Sequence, residues 1–182
     1  LIPYDAIEPK DKEETIHDAV SRVHKTAQAS LKGRAVRVTT RIEGRPTRLL
    51  SVYAPPDGHE VKRPDFFRKL SPMVTRHTIL GIDANCVPDE TLDRKSTATS
   101  PYSNAGANEL EALVARADLV DVARESLGDD RFYTSFHNTA SGLCCTRIDR
   151  IYAPSLDGWI SAHAPIDTDF FPPKHTPNLD HT

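Results

Sequence analysis

Ile79 to Val87 reads ILGIDANCV, and these residues decide how the chain is built. With the two residues before it, the apolar part becomes HTILGI (77–82), a run of strand length ended by Asp83 and Asn85, which favour turns over continued extension. The run therefore predicts a buried strand with Asp83 at its carboxyl end. Upstream, Thr47 to Tyr53 (TRLLSVY) and Arg34 to Ile42 (AVRVTTRI after the arginine) are β-branched and alternate in polarity, with turn chemistry between them at Glu43-Gly44-Arg45-Pro46. They predict an antiparallel hairpin. After the Pro55-Pro56-Asp57-Gly58 turn, Phe66, Phe67, Leu70 and Val74 predict a short helix starting near Pro64. Further upstream, Ile16, Ala19, Val20, Val23, Ala27 and Leu31 recur at helical spacing, which predicts a helix from Glu13 to Gly33.

Downstream, residues 85–104 are polar and rich in Ser, Thr and Pro, as expected of a long loop. A helix resumes near Ala107 with Leu110, Leu113, Val114 and Ala117 on one face, followed by the apolar run Leu119 to Val122 and a Gly128-Asp129-Asp130 loop. Phe132 to Phe136, Arg147 to Tyr152 and Trp159 to Ala162 read as further strands. With no repeat, low-complexity tract or linker, 1–182 is expected to be one domain of α and β layers.

Composition narrows the function classes. The 182 residues carry a formal charge of −3 and 38% hydrophobic residues, enough for a core but without a global basic field. A nucleic-acid substrate would have to be attracted by a local patch or by bound metal. Cys86, Cys144 and Cys145 are an odd set that suits neither a disulfide framework nor a four-cysteine zinc site, and a reducing compartment is expected. No stretch approaches the ~20 apolar residues of a membrane span, and the first residues lack the order of a signal peptide, so a soluble chain without membrane contact is expected.

Several polar residues stand where they can end or flank apolar strands: Tyr53 after LLSV, Asp83 and Asn85 after HTILGI, Asp149 within TRIDRIY, and Asp180-His181. Cutting a phosphodiester needs an activated water, neutralisation of charge on the phosphoryl oxygens and stabilisation of the leaving alkoxide. Carboxylates, a histidine and a phenol brought to one cleft can supply these.

These segments resemble, in order, four motifs of the endonuclease/exonuclease/phosphatase superfamily. LLSVYAPP is similar to its Y-x-P segment, ILGIDANCV to its strand-GDxN segment, TRIDRIYAP to its R-x-D segment and LDHT to its S-D-H segment. NCVPDETLDR, DVAR and TRIDRIY resemble the branch formed by the endonucleases of non-LTR retrotransposons. The resemblance spans about Ser51 to the end. It implies an α/β fold, a two-sheet α/β sandwich of the DNase I-like type, and hydrolysis of phosphodiesters with Mg2+, Mn2+ being an alternative. By the same resemblance, Asp83 and Asn85 position or deprotonate the attacking water and contact the scissile phosphate, and Tyr53 touches that phosphate or the leaving oxygen. His181 stabilises the phosphoryl group, Asp149 orients its imidazole, and Asp180 helps hold the metal. The implied substrate is DNA, nicked to expose a 3′-hydroxyl, and the implied partner is a reverse transcriptase in the same polypeptide, which would require nuclear access. A phosphatase or phospholipase of the same superfamily and a catalytically dead copy are the alternatives.

The chain also departs from the pattern. Ile82 and Leu179 stand where the superfamily usually has glycine and serine, and the strands that carry its first asparagine and its metal-binding glutamate have no counterpart before Tyr53. Glu14-Thr15 follows no apolar strand and reads as a helix start. An incomplete domain, lacking its first strands and its last, is therefore expected. Arg147, Arg150, Lys62, Arg63, Arg68 and Lys69 could contact phosphates or be exposed solubilising charge, and Cys86 reads as a small buried thiol.

Overall fold

A computed structural model describes residues 28–42, 44–97, 103–139 and 142–155. The expected strand at Trp159 to Ala162, the Asp180-His181 pair and most of the expected first helix lie outside these residues.

The hairpin forms as its alternation predicts. Strand β2 (Ala35–Ile42) pairs antiparallel with β3 (Arg45–Tyr53), from Ala35 opposite Val52 to Ile42 opposite Arg45. Gly44 takes φ +72° in the connecting turn, a left-handed conformation that glycine adopts without a Cβ penalty. Before the hairpin the structure departs from expectation. The end of the anticipated helix is instead strand β1 (Gln28–Ser30), paired antiparallel with β2, followed by a turn in which Leu31 and Lys32 have positive φ. Pairing with β2 overrides the helical spacing there.

Strand β4 (Thr78–Asp83) ends at Asp83 and runs parallel to β3. The crossover between them is helix α1 (Arg63–Leu70), which begins with a proline in its first turn, has Asp65 near its amino end, and carries Arg68 and Lys69 in its last turn. The stretch expected to be a long loop contains a short helix α2 (Glu90–Asp93), capped by the Asp89 side chain on the N–H groups of Thr91 and Leu92, and then strand β5 (Arg94–Ser96). Helix α3 (Ala107–Arg116) follows. Gly106 at its start has φ +97°, and a Cβ there would lie 2.8 Å from the Cβ of Arg63 and 3.0 Å from the Phe67 ring, so α1 and α3 can approach only over a glycine.

Next come β6 (Leu119–Asp121), α4 (Val122–Leu127), β7 (Ser135–Thr139), β8 (Gly142–Thr146) and β9 (Asp149–Pro154). The strand expected at Phe132 to Phe136 is shifted toward the carboxyl end, the one expected to begin at Arg147 begins at Asp149, and β8 and α4 were not anticipated.

Two sheets result, and the fold is mixed α/β. The larger runs β1-β2-β3-β4-β9-β6, with β3 and β4 parallel and the other neighbours antiparallel; the smaller runs β5-β8-β7. One face of the large sheet presents Leu50, Val52, Leu80, Ile82 and Tyr152 to a buried cluster that includes Phe66, Phe67 and Leu70 of α1 and Leu110 and Leu113 of α3. Strand alternation turns the intervening residues, Ser51, Tyr53, Gly81, Asp83, Asp149 and Ile151, to the opposite face. Among the described residues, no helix is long and apolar enough to cross a membrane.

Candidate active site

Sheet register brings three of the candidate residues into one row. Tyr53 is opposite Asp83 in the β3–β4 ladder, and Asp83 is opposite Asp149 in the β4–β9 ladder. Directly opposed residues share a face, so phenol and carboxylates stand side by side on the face away from the helices, at one end of the sheet. Tyr53 is 48% exposed, Asp149 is exposed and Asp83 is half-buried.

The backbone around the row is tied by hydrogen bonds. The ladder continues past the strand ends, the N–H of Ala54 donating to the carbonyl of Asp83 and that of Ala84 to Ile148, each at 2.8 Å. Asn85 adopts φ +50°, a left-handed conformation that asparagine tolerates better than most residues. In that conformation its N–H donates to Asp83 Oδ1 at 3.1 Å and its Nδ2 donates to the carbonyl of Ala54 at 2.9 Å. Asn85 is thus anchored between the ends of β3 and β4. On the other side, the hydroxyl oxygen of Thr134 accepts from the N–H groups of Ile148 at 3.2 Å and Asp149 at 3.1 Å, which fixes where β9 begins.

Electrostatically the row is strained. Burial pushes the Asp83 carboxyl above its ordinary value and the negative charge of Asp149 adds to this, while the N–H of Asn85 works against both. Two neighbouring carboxylates left to repel each other form an arrangement that a cation or a proton would relieve. Asp83, Asn85, Tyr53 and Asp149 are therefore brought together, whereas Asp180 and His181 lie outside the described residues. Among the described residues no group of three or more acidic, histidine or cysteine side chains gathers as a metal cluster.

The arginines weighed as phosphate contacts have other work. Arg147 and Arg150 are 2% and 5% exposed and enclose the buried Asp93. Asp93 Oδ1 lies 2.7 Å from Arg147 Nε and 2.7 Å from Arg124 Nη2, and its Oδ2 lies 3.0 Å from Arg150 Nη2; Asp121 completes the cluster, 2.7 Å from Arg147 and 3.2 Å from Arg150. Burial alone would raise the Asp93 carboxyl, but the hydrogen bonds and charges of Arg147 and Arg150 outweigh it and hold the group below the ordinary value. Arg63 is buried as well, bonded to Asp57, Ser103 and Ala105, and Arg68 pairs with Asp65 and Glu109. Lys62, Lys69 and Arg68, the last with its surface ion pairs, keep the exposed position that either reading allowed. Burial pushes the Cys86 thiol up to about 11, which suits an inert packing residue.

Sequence reasoning passed over Arg34, whose guanidinium lies 5.1 Å from the centroid of the Tyr53 ring, and His59, which adjoins it. It also passed over Thr134, which fixes the start of β9, and Asp93, the centre of the buried arginine cluster. None of them had a local signal, because each acts on a partner distant in sequence.

Fold and row together define a mixed α/β protein with a carboxylate-bearing site at the end of three adjacent strands. No family model matches the chain. Over 135 residues it is 31% identical to a transposon-encoded protein of Xenopus laevis, the Transposon TX1 uncharacterized 149 kDa protein; the match covers 71% of this chain, which spans about a tenth of that relative, 10% of its length. Among solved structures it is similar to the endonuclease domain of TRAS1, a telomere-specific non-LTR retrotransposon, at 18% identity and a TM-score of 0.48, covering 71% of this chain and 55% of that one. It is also similar to D. rerio TDP2 complexed with a single-strand DNA product, at 17% identity and a TM-score of 0.43, covering 66% and 46%.

Proposed function

We propose that the chain belongs to the endonuclease/exonuclease/phosphatase superfamily and is the DNA-nicking nuclease part of a retrotransposon-type protein. The observation that carries this reading is the register of Tyr53, Asp83 and Asp149 across three adjacent strands, with Asn85 tied between two of them. The order of the four motifs and the sequence likeness to a transposon protein support it.

In this reading Asp83 holds and deprotonates the attacking water, for which a carboxyl with a raised affinity for protons is a better base than an ordinary one. Asn85 and Tyr53 contact the scissile phosphate, Asp149 orients the imidazole of His181, and Asp180 contributes a metal ligand. The described carboxylates suit a nearby Mg2+ or Mn2+ in charge and as hard oxygen donors, the ligand in this reading being Asp180. Such an ion would supply charge neutralisation on the phosphoryl oxygens. A reverse transcriptase in the same polypeptide and access to nuclear DNA belong to the same proposal.

The test is conversion of supercoiled plasmid to open circle in Mg2+ and in EDTA, alongside phosphoinositide and sphingomyelin substrates. Mg2+-dependent nicking is the expected result. Turnover of a lipid phosphoester with no action on DNA would contradict the substrate assignment, and no turnover of any of them would contradict the enzymatic one.

A further inference from the structure

His59, in the loop between β3 and α1, faces more hydrogen-bond donors than an imidazole can accept. The N–H of Val61 donates to its Nδ1 at 3.1 Å, and Arg34 Nη2 stands 2.8 Å from its Nε2. A guanidinium and a backbone N–H are donors only, whereas a neutral imidazole has one lone pair and one N–H. In either tautomer one of the two contacts therefore sets N–H against N–H. When Nδ1 accepts from Val61, the opposed groups are His59 Nε2–H and Arg34 Nη2. In that tautomer the pair lacks an acceptor, and an anionic oxygen placed across from both nitrogens, not between them, would take a hydrogen bond from each.

The position of the pair says which anion fits. Arg34 packs its guanidinium on the Tyr53 ring and donates to the Tyr53 carbonyl at 3.5 Å, while the Tyr53 N–H donates to the Arg34 carbonyl at 2.8 Å. The acceptor-poor pair is thus fixed beside the row formed by Tyr53, Asp83 and Asp149. The nearby acids are engaged elsewhere, Asp57 with Arg63 at 2.7 Å and Glu60 with Lys32 at 3.3 Å, and among the described residues no carboxylate pairs with Arg34. A cleft of about 510 Å3, lined by His59, Lys62, Arg63 and Ser103 and by Asp57, which pairs with Arg63, adjoins His59.

We propose that Arg34 and His59 form an anion subsite that holds a backbone phosphate of the nucleic-acid strand next to the scissile one. The proposal rests on the phosphodiesterase reading above and adds to it where the strand runs: from the carboxylate row, past the Tyr53 ring, toward the loop of His59. Tyr53 then has two contacts to make, its hydroxyl on the scissile group and its ring face under Arg34.

Two measurements on the 182-residue chain test it. In EDTA, the ring 15N signals of His59 are followed by NMR during titration with inorganic phosphate and with a short DNA duplex; saturable shifts with both are expected, lost in Arg34→Gln. Duplex affinity is measured by fluorescence anisotropy across a salt series. Arg34→Gln is expected to weaken binding about tenfold, the effect of one lost charge-assisted contact, and to lower the slope of log K against log salt by about 1. Because Arg34 also braces Tyr53, His59→Ala provides an independent variant, expected to weaken binding without altering Arg34's hold on the ring. Arg41→Gln, in the hairpin turn at the far end of β2 where Arg41 bonds the Gly44 carbonyl, is expected to change neither affinity nor slope. His59 signals that ignore phosphate, together with wild-type affinity and slope in Arg34→Gln, would overturn the subsite. A response of His59 to phosphate in a chain that neither binds nor cuts DNA would overturn the nucleic-acid assignment, and the nuclease reading with it.

Discussion

Two groups of charged residues lie within a few residues of each other where β8 passes into β9, and they are built on opposite terms. In the buried cluster Asp93 is enclosed by Arg124, Arg147 and Arg150, and each of its carboxylate oxygens is engaged by a guanidinium. In the strand-end row, two positions along from Arg147, Asp149 faces Asp83, among the described residues no basic side chain pairs with either carboxylate, and the neighbouring Asn85 is held at positive φ. One group is compensated and out of solvent; the other, among the described residues, is paired with no basic side chain and is partly open to solvent. Charge that serves stability is neutralised inside the protein, whereas like charges left facing each other are the arrangement expected of a binding site.

The strongest way to break this contrast is to remove the compensated carboxylate. Asp93→Ala leaves three guanidinium groups around an empty position and is expected to cost about 3–5 kcal/mol of unfolding free energy, measured by urea denaturation. Acid should act in the same direction. The Asp93 carboxyl titrates below its ordinary value of 3.8 in the folded protein, so its contribution is present above that value and is lost as pH falls through the lower folded one. Urea midpoints at successive pH values below 3.8 should drop steeply in the wild type and much less in Asp93→Ala.

Thr134 fixes the start of the row's third strand, since its hydroxyl accepts from the N–H groups of Ile148 and Asp149. Thr134→Val keeps the shape and removes the acceptor, with an expected loss of about 1 kcal/mol. A loss of the size expected for Asp93→Ala would show that Thr134 does far more than accept these two hydrogen bonds.

The smallest expected effect has the opposite sign. The folded protein raises the affinity of Asp83 for protons, so ionised Asp83 works against folding once pH rises through its folded value. Asp83→Asn is therefore expected to gain about 0.5 kcal/mol at neutral pH, a discounted figure for a half-exposed group, and the gain should vanish in acid. A loss of stability at neutral pH would mean that the carboxylate is compensated after all.

Much of the fold was legible where the pattern was local. HTILGI ends at Asp83 as its apolar run predicts, the hairpin follows from β-branched alternation around Gly44, and α1 begins at its proline. Elements that depend on distant partners were not legible. Gln28 to Ser30, at the end of a stretch with helical spacing, join β2 as a strand, and β8, whose sequence GLCCT does not alternate and has a β-branched residue only at its end, forms because β5 and β7 pair with it on either side. Helix α4 has six residues, too few to show a period, and rests on the Asp121 cap at the N–H of Arg124. The row could be read because each member sits at the end of a recognisable strand. The Asp93 cluster could not, because Asp93 and Arg147 are 54 positions apart, nor could the Arg34–His59 pair, 25 apart.

The most direct measurement is Asp83→Asn read twice, as its rate of plasmid nicking in Mg2+ and as its unfolding free energy at neutral pH. The account predicts a rate at least about 100-fold below wild type, as for loss of a general base, together with a small gain in stability. A variant that nicks at the wild-type rate, or that loses activity only as it loses stability, would contradict the assignment of the strand-end row as the active site.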